Sequence, residues 1–300
     1  MANLILIPHP GGEHKYDCSI TSARTLPVPF KSTTLMKKWN TGRHQRKYLF
    51  WHGQYIDTNG ILKNGDFYFW GEWEPPTLVW KNPKRGQSPN FVHFPITNSS
   101  SVAPSALING GNCQANCGTG GNYQNTDPCV FGSTFKYIIC QQNKRVYNKG
   151  DVLLFGSTKK DAFLLDTILV IDTVTPYILS PGQLPSIQNF VSAEYQNVTV
   201  NRIVGKIGKI KKLNFYRGAK FFNNKTPYSF TPAVLQNGTT PILKSRMTIS
   251  FSDAVLGKYF KPGYRNAYCS KIRFGNHEWN YLVNLCYQQG FVPAVEIDYP

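Results

Sequence analysis

Residues 151–171 read Asp151-Val-Leu-Leu-Phe-Gly156-Ser-Thr-Lys-Lys-Asp-Ala-Phe163-Leu-Leu-Asp166-Thr-Ile-Leu-Val-Ile171. Two short apolar runs, 152–156 and 163–171, flank a polar turn, which is the pattern of a strand followed by its partner strand. One residue breaks that pattern. Asp166 falls inside the second run, and a carboxylate buried among aliphatic side chains needs a partner.

Strand signals of the same kind extend in both directions. The runs 3–7, 46–51, 66–73, 135–140, 246–251 and 291–297 are short, apolar or alternating, and rich in β-branched and aromatic residues. Helical periodicity is scarce. It marks 186–196, and 279–289, where Trp279, Leu282, Val283, Cys286 and Tyr287 share one face and Gly290 supplies a stop. The expectation is an α+β fold of mainly antiparallel, curled β-sheet with few helices. Thr97 to Thr126 carries runs of Asn, Ser and Gly and no charged residue, so it reads as a long surface loop. It separates a β-rich part, 1–96, from a second β-sheet part, 127–300, which holds a basic segment at 195–252 and the C-terminal helix. The two parts are expected to form one unit.

In this 300-residue chain, 41 % of residues are hydrophobic, enough for a large core, while only 16 % are charged. The charges are unbalanced: 33 Lys and Arg face 16 Asp and Glu, a net charge of +17. From Cys18 to Ile56 seven bases occur with no acid, and from Tyr195 to Ser252 ten bases occur with no acid. Stretches of this kind cannot neutralise themselves locally, and their natural complement is a phosphate backbone. Trp39, Tyr48, Phe50, Trp51, Phe215, Tyr216, Phe221 and Phe222 interleave the bases as candidate stacking rings. The expected partner is therefore nucleic acid, held by Trp39, Asn40, Arg43, Arg46 and Lys47 and by Lys209, Lys211, Lys212 and Arg217.

A second set of residues suits chemistry. His9, Glu13 and His14 follow the first strand, His44 sits among the bases, and Glu72 and Glu74 end an aromatic strand two residues apart. Imidazoles and carboxylates gathered at strand ends suit acid–base work or a divalent metal ion. Cys113, Cys117, Cys129 and Cys140 form a weaker metal set, because ribbon-type zinc sites need two short pairs and only one is present. No phosphate-binding Walker loop, nucleophile elbow, HExxH helix or dinucleotide fingerprint occurs, which sets aside the common NTPase, hydrolase, zincin and dehydrogenase readings. The apolar run 4–7 is too short for a signal-peptide core, and no stretch reaches the length of a membrane helix. A cytoplasmic protein with no membrane partner is expected.

The motifs HPGGEH, WNTGRHQRKYL, FWGEWEPP, NTDPCVFGSTFKY and GDVLLFGS resemble those of an uncharacterised bacterial protein family, as does YRGAKFFNN followed by YSFTP. That resemblance covers residues 5–230 and implies no particular activity. The GDVLLFGS strand and its apolar partner are also similar to the PUA-like β-barrel group, which includes ASCH and EVE modules and nucleotide-modification-associated domains. This second likeness implies recognition of RNA or modified DNA. An enzyme acting on nucleic acid or a nucleotide through the His/Glu cluster is the alternative.

Overall fold

The structure is a computed structural model that describes residues 2–8, 12–13, 46–71, 77–82, 87–95, 135–138, 146–179, 211–238, 241–260 and 268–297. The expected helix at 186–196 and the loop at 97–126 lie outside these residues. The two apolar runs that open the sequence reading are β7 (Val152–Lys159) and β8 (Ala162–Leu179), paired antiparallel. β8 is the spine of one sheet. Its first half pairs β7 and, on the other edge, β11 (Met247–Ser250), and its second half pairs β9 (Lys211–Gly218). The sheet runs β12 (Tyr268–Phe274), β1 (Ala2–Pro8), β7, β8, β9 and β6 (Lys136–Ile138). All its pairings are antiparallel except β1 with β7.

The second sheet is built on a long hairpin, β2 (Lys47–Ile56) with β3 (Leu62–Gly71). Asp57 shapes its turn by accepting from the Asn59 and Ile61 amides at 2.9 Å each. The sheet continues through β10 (Thr231–Leu235) to β13 (Val292–Glu296) on one side, and through β5 (Phe91–Pro95) to β4 (Thr77–Lys81) on the other. β13 also pairs β2, so β13, β10, β3 and β2 close into a ring of four strands. The curl expected from the sequence is this closure. Both sheets combine strands from the N-terminal and C-terminal parts, since β1 pairs β12 and β2 pairs β13.

Period-two alternation sorts the apolar residues into layers. Ile5, Ile7, Leu153, Phe155, Leu169 and Ile171 of the first sheet pack against Leu49, Trp51, Phe67 and Phe69 of the second. On the opposite face of the first sheet, Leu4, Leu6, Val152 and Leu154 join Trp279, Leu282 and Cys286 of the single described helix, α1 (Asn276–Gln288). The outer face of the second sheet buries Tyr48, Phe50, Tyr68 and Trp70 beneath Ile242 and Leu243. The covering segment is fastened by the Tyr48 hydroxyl and the Trp70 indole N–H, which donate to the Ile242 and Lys244 carbonyls at 2.9 Å each.

The strands β4, β5, β9, β10 and β12 are not legible as strands in the sequence. β9 carries three bases among eight residues, and β12 is an edge strand with Lys271, Ile272 and Arg273 exposed. The bases interrupt the apolar signal in both, and pairing with a neighbouring strand completes them.

Gly290, with φ of +70°, ends α1 as expected. At the other end Glu278 reaches back to the Gly275 N–H at 3.1 Å and meets the Lys258 ammonium at 3.0 Å. The Lys258 hydrogen bond, with help from the Gly275 amide, holds the Glu278 carboxyl down at about 2 against an ordinary 4.5. A depressed pKa stabilises the fold fully above the unfolded value and loses that contribution as pH falls towards the folded one. Glu278→Gln keeps a capping acceptor but no charge, so it is expected to lower stability at neutral pH by about 0.5 kcal/mol. Its deficit relative to wild type should vanish between pH 4.5 and 2, which thermal melts across that range will check.

Candidate functional site

Three strand termini meet on one rim. β1 ends at Pro8 beside Gly156 of β7, β3 ends at Gly71 opposite Lys47, and Gly12 and Glu13 run beside Arg46 as it enters β2. The Arg46 amide donates to the Gly12 carbonyl at 3.1 Å, and the Arg46 guanidinium donates to the Gly156 carbonyl at 3.1 Å. His9, His14, Trp39, Asn40, Arg43, His44, Glu72 and Glu74 lie outside the described residues, as do Lys209 and Cys113, Cys117, Cys129 and Cys140.

At this rim Asp166 finds its partners. The register of β8 against β7 runs Phe155 to Thr167 and then Gly156 to Leu165, leaving Asp166 with no opposite residue. It is a β-bulge. The bulge turns Asp166 towards Arg46, whose Nε donates to the carboxylate, and towards Arg246, whose Nε lies 3.5 Å away. Arg246 also donates to the Ser157 hydroxyl, and its guanidinium sits 5.4 Å from the centre of the Trp70 ring. Arg46 is 1 % exposed and Asp166 4 %. Gly156 belongs to the same device, because a side chain there would strike the Leu164 carbonyl.

This placement corrects the expectation that Arg46 and Lys47 offer donors to a phosphate backbone. Both are buried at the start of β2, and the Arg46 guanidinium faces a carboxylate and a carbonyl within the protein. A guanidinium removed from water needs such acceptors, and the nearest acid in sequence gives no hint of the one it uses. Glu13 is likewise engaged: its carboxylate accepts from the Asn90 amide, from the Asn90 side chain at 2.7 Å and from the Phe91 amide at 2.9 Å. It clamps the chain into β5.

Several other described acids are also occupied. Asp57 holds a turn and Lys63, Asp66 meets His52 at 2.8 Å, and Asp151 binds Asn3 and Asn148. Asp172 meets Lys149 at 3.0 Å and Arg217 at 3.9 Å, Asp253 caps a turn and Tyr281, and Glu278 caps α1. Lysines 159, 160, 220, 225 and 271 are exposed by contrast. Lys211 and Lys212 start β9 opposite Leu179 and Ile178, and Arg217 is half-exposed beside Asp172.

The candidate stacking rings divide sharply. Tyr48, Phe50, Trp51, Phe215 and Tyr216 are core residues, and Phe221 packs edge-on to Tyr228 at 5.0 Å. Phe222 is 84 % exposed. Among the described residues no group of three or more His, Cys, Asp or Glu is arranged to hold a metal ion, and no helix is long and apolar enough to cross a membrane. Comparison with protein-family models, with curated proteins and with solved structures finds no match.

Removing the Asp166 carboxylate leaves two buried guanidinium groups short of an acceptor. Asp166→Leu is expected to destabilise the fold by about 3–5 kcal/mol. Adding Arg46→Met should recover part of that loss, with a coupling of at least about 1 kcal/mol in a denaturant-unfolding double-mutant cycle. Additive losses would mean that the two side chains do not depend on each other.

Proposed function

We propose that this protein binds nucleic acid, RNA or modified DNA, in the cytoplasm through a basic surface with limited aromatic exposure. The observation that carries the reading is where the acids are. Glu13, Asp57, Asp151, Asp166, Asp253 and Glu278 are engaged by backbone amides or by internal partners, and among the described residues exposed bases such as Lys149, Lys159, Lys160, Lys220, Lys225 and Lys271 outnumber the exposed acids Asp66 and Asp161. A surface field of one sign attracts a polyanion and releases its counterions on binding. The enzyme alternative is less well supported. Of its six residues only Glu13 falls among those described, and its carboxylate already accepts three hydrogen bonds.

Binding of mixed RNA and DNA oligonucleotides should weaken steeply with salt. About five to eight phosphate contacts give a log–log slope near −0.9 for each contact on duplex and somewhat less on single strands. Micromolar affinity that ignores salt sinks the proposal. Replacing Lys209, Lys211 and Lys212 together with Gln should weaken binding to all sequences alike and flatten the slope by about one for each phosphate that is no longer neutralised. Unaltered binding by that triple variant places the contact surface elsewhere.

A further inference from the structure

We infer that the loop joining β9 to β10 is a stacking site for an unpaired base, so that the nucleic acid is single-stranded where it meets this face. The inference rests on the nucleic-acid reading above and adds the strand state to it. The loop is Ala219-Lys-Phe-Phe-Asn-Asn-Lys-Thr-Pro-Tyr-Ser229. Its stem is closed by backbone hydrogen bonds, Ala219 N–H to the Val170 carbonyl at 2.7 Å and Ser229 N–H to the Ala219 carbonyl at 2.9 Å.

Two adjacent phenylalanines point opposite ways. Phe221 packs edge-on to Tyr228, which packs edge-on to the buried Trp279 at 5.4 Å, so the loop is anchored in the core. Phe222 is left 84 % exposed, the most exposed large hydrophobic side chain among the described residues. The loop tip is braced as well. Asn223 Oδ1 accepts from the Lys225 amide at 2.9 Å, and Asn224 Nδ2 donates to the Gly60 carbonyl in the β2–β3 turn at 3.3 Å. An apolar ring carried into water by a braced loop is favourably placed for a flat partner, because little backbone freedom remains to be lost on binding.

The charge around it selects the partner. Lys220 and Lys225 are exposed on either side of Phe222, and neither forms an ion pair among the described residues. Asp57, in the β2–β3 turn that Asn224 contacts, is held by Lys63 at 2.8 Å and by two turn amides. An exposed ring with a lysine two residues before it and another three residues after it suits an unpaired base with its flanking phosphates. Ile61 and Leu62, at the braced turn, are also partly exposed and extend the apolar surface.

Anisotropy titrations of the full chain with a labelled single-stranded oligouridylate and with an RNA hairpin duplex test this. Phe222→Leu removes the flat face while keeping an apolar side chain, and Phe222→Trp enlarges the face. The single strand should bind Phe222→Leu about tenfold more weakly, the scale of one stacked base, and Phe222→Trp at least as tightly as wild type. Duplex affinity and the salt slope should not change in either variant, whereas Lys220→Gln with Lys225→Gln should lower both. If all Phe222 variants bind the single strand alike, the stacking site is overturned and the nucleic-acid reading stands. If wild type binds neither RNA probe, the stacking site falls, and the nucleic-acid reading falls with it when the DNA oligonucleotides are not bound either. If Phe222→Leu retains RNA binding while Phe222→Ala loses binding to anionic phosphatidylserine vesicles, Phe222 is a bilayer anchor and the inference is overturned.

Discussion

The carboxylate of Asp166, enclosed by Arg46 and Arg246, is the contact on which the arrangement of the two sheets depends. Arg46 leads into the central hairpin of the second sheet, Asp166 lies in the spine strand of the first, and Arg246 immediately precedes that strand's other partner. Burying three ionic groups is costly, and their mutual attraction offsets the cost only when the geometry satisfies each of them. Segments 120 residues apart in sequence are therefore held in one relative position.

The bulge that presents Asp166 also resets the phase of β8. Before it, Phe163 and Leu165 face the helix-covered core, and after it Ile168 and Val170 face the same core. A regular strand would have sent one of those pairs to the opposite layer. The single extra residue thus aims a carboxylate and keeps an 18-residue strand in register with the apolar layer of both halves. The rim where β1, β2 and β3 end owes its form to the same local geometry, since Arg46 joins Gly156 and Gly12 there.

Electrostatics follows the same division between interior and surface. Among the described residues, several acids close turns, cap α1, clamp β5 or neutralise buried arginines, while Lys159, Lys160, Lys220, Lys225 and Lys271 are exposed. The aromatic residues are sorted too: Trp51 packs between the sheets and Tyr48 and Phe50 are buried on the outer face of the second sheet, while Phe222 faces water.

Much of this was readable along the chain. Where they are described, the runs 3–7, 46–51, 66–73, 152–156, 163–171, 246–251 and 291–297 fall on observed strands to within a residue at either end, and Trp279, Leu282 and Cys286 line the buried face of the C-terminal helix. Apolar periodicity, glycine stops and charge imbalance are properties of neighbouring residues, so one sequence suffices to see them. Asp166 could be flagged because a carboxylate in an aliphatic run is locally anomalous. Its partners could not be read, nor could the burial of Arg46 and Lys47, which look like surface bases beside Arg43 and His44. Strand β9 was hidden for a related reason, because its residues advertise charge while β8 supplies its ladder. Which bases face water, which ring is exposed and which carboxylate meets which guanidinium were decided by the tertiary structure alone. Burial is set by what packs against a residue from far along the chain, and no local pattern carries that information.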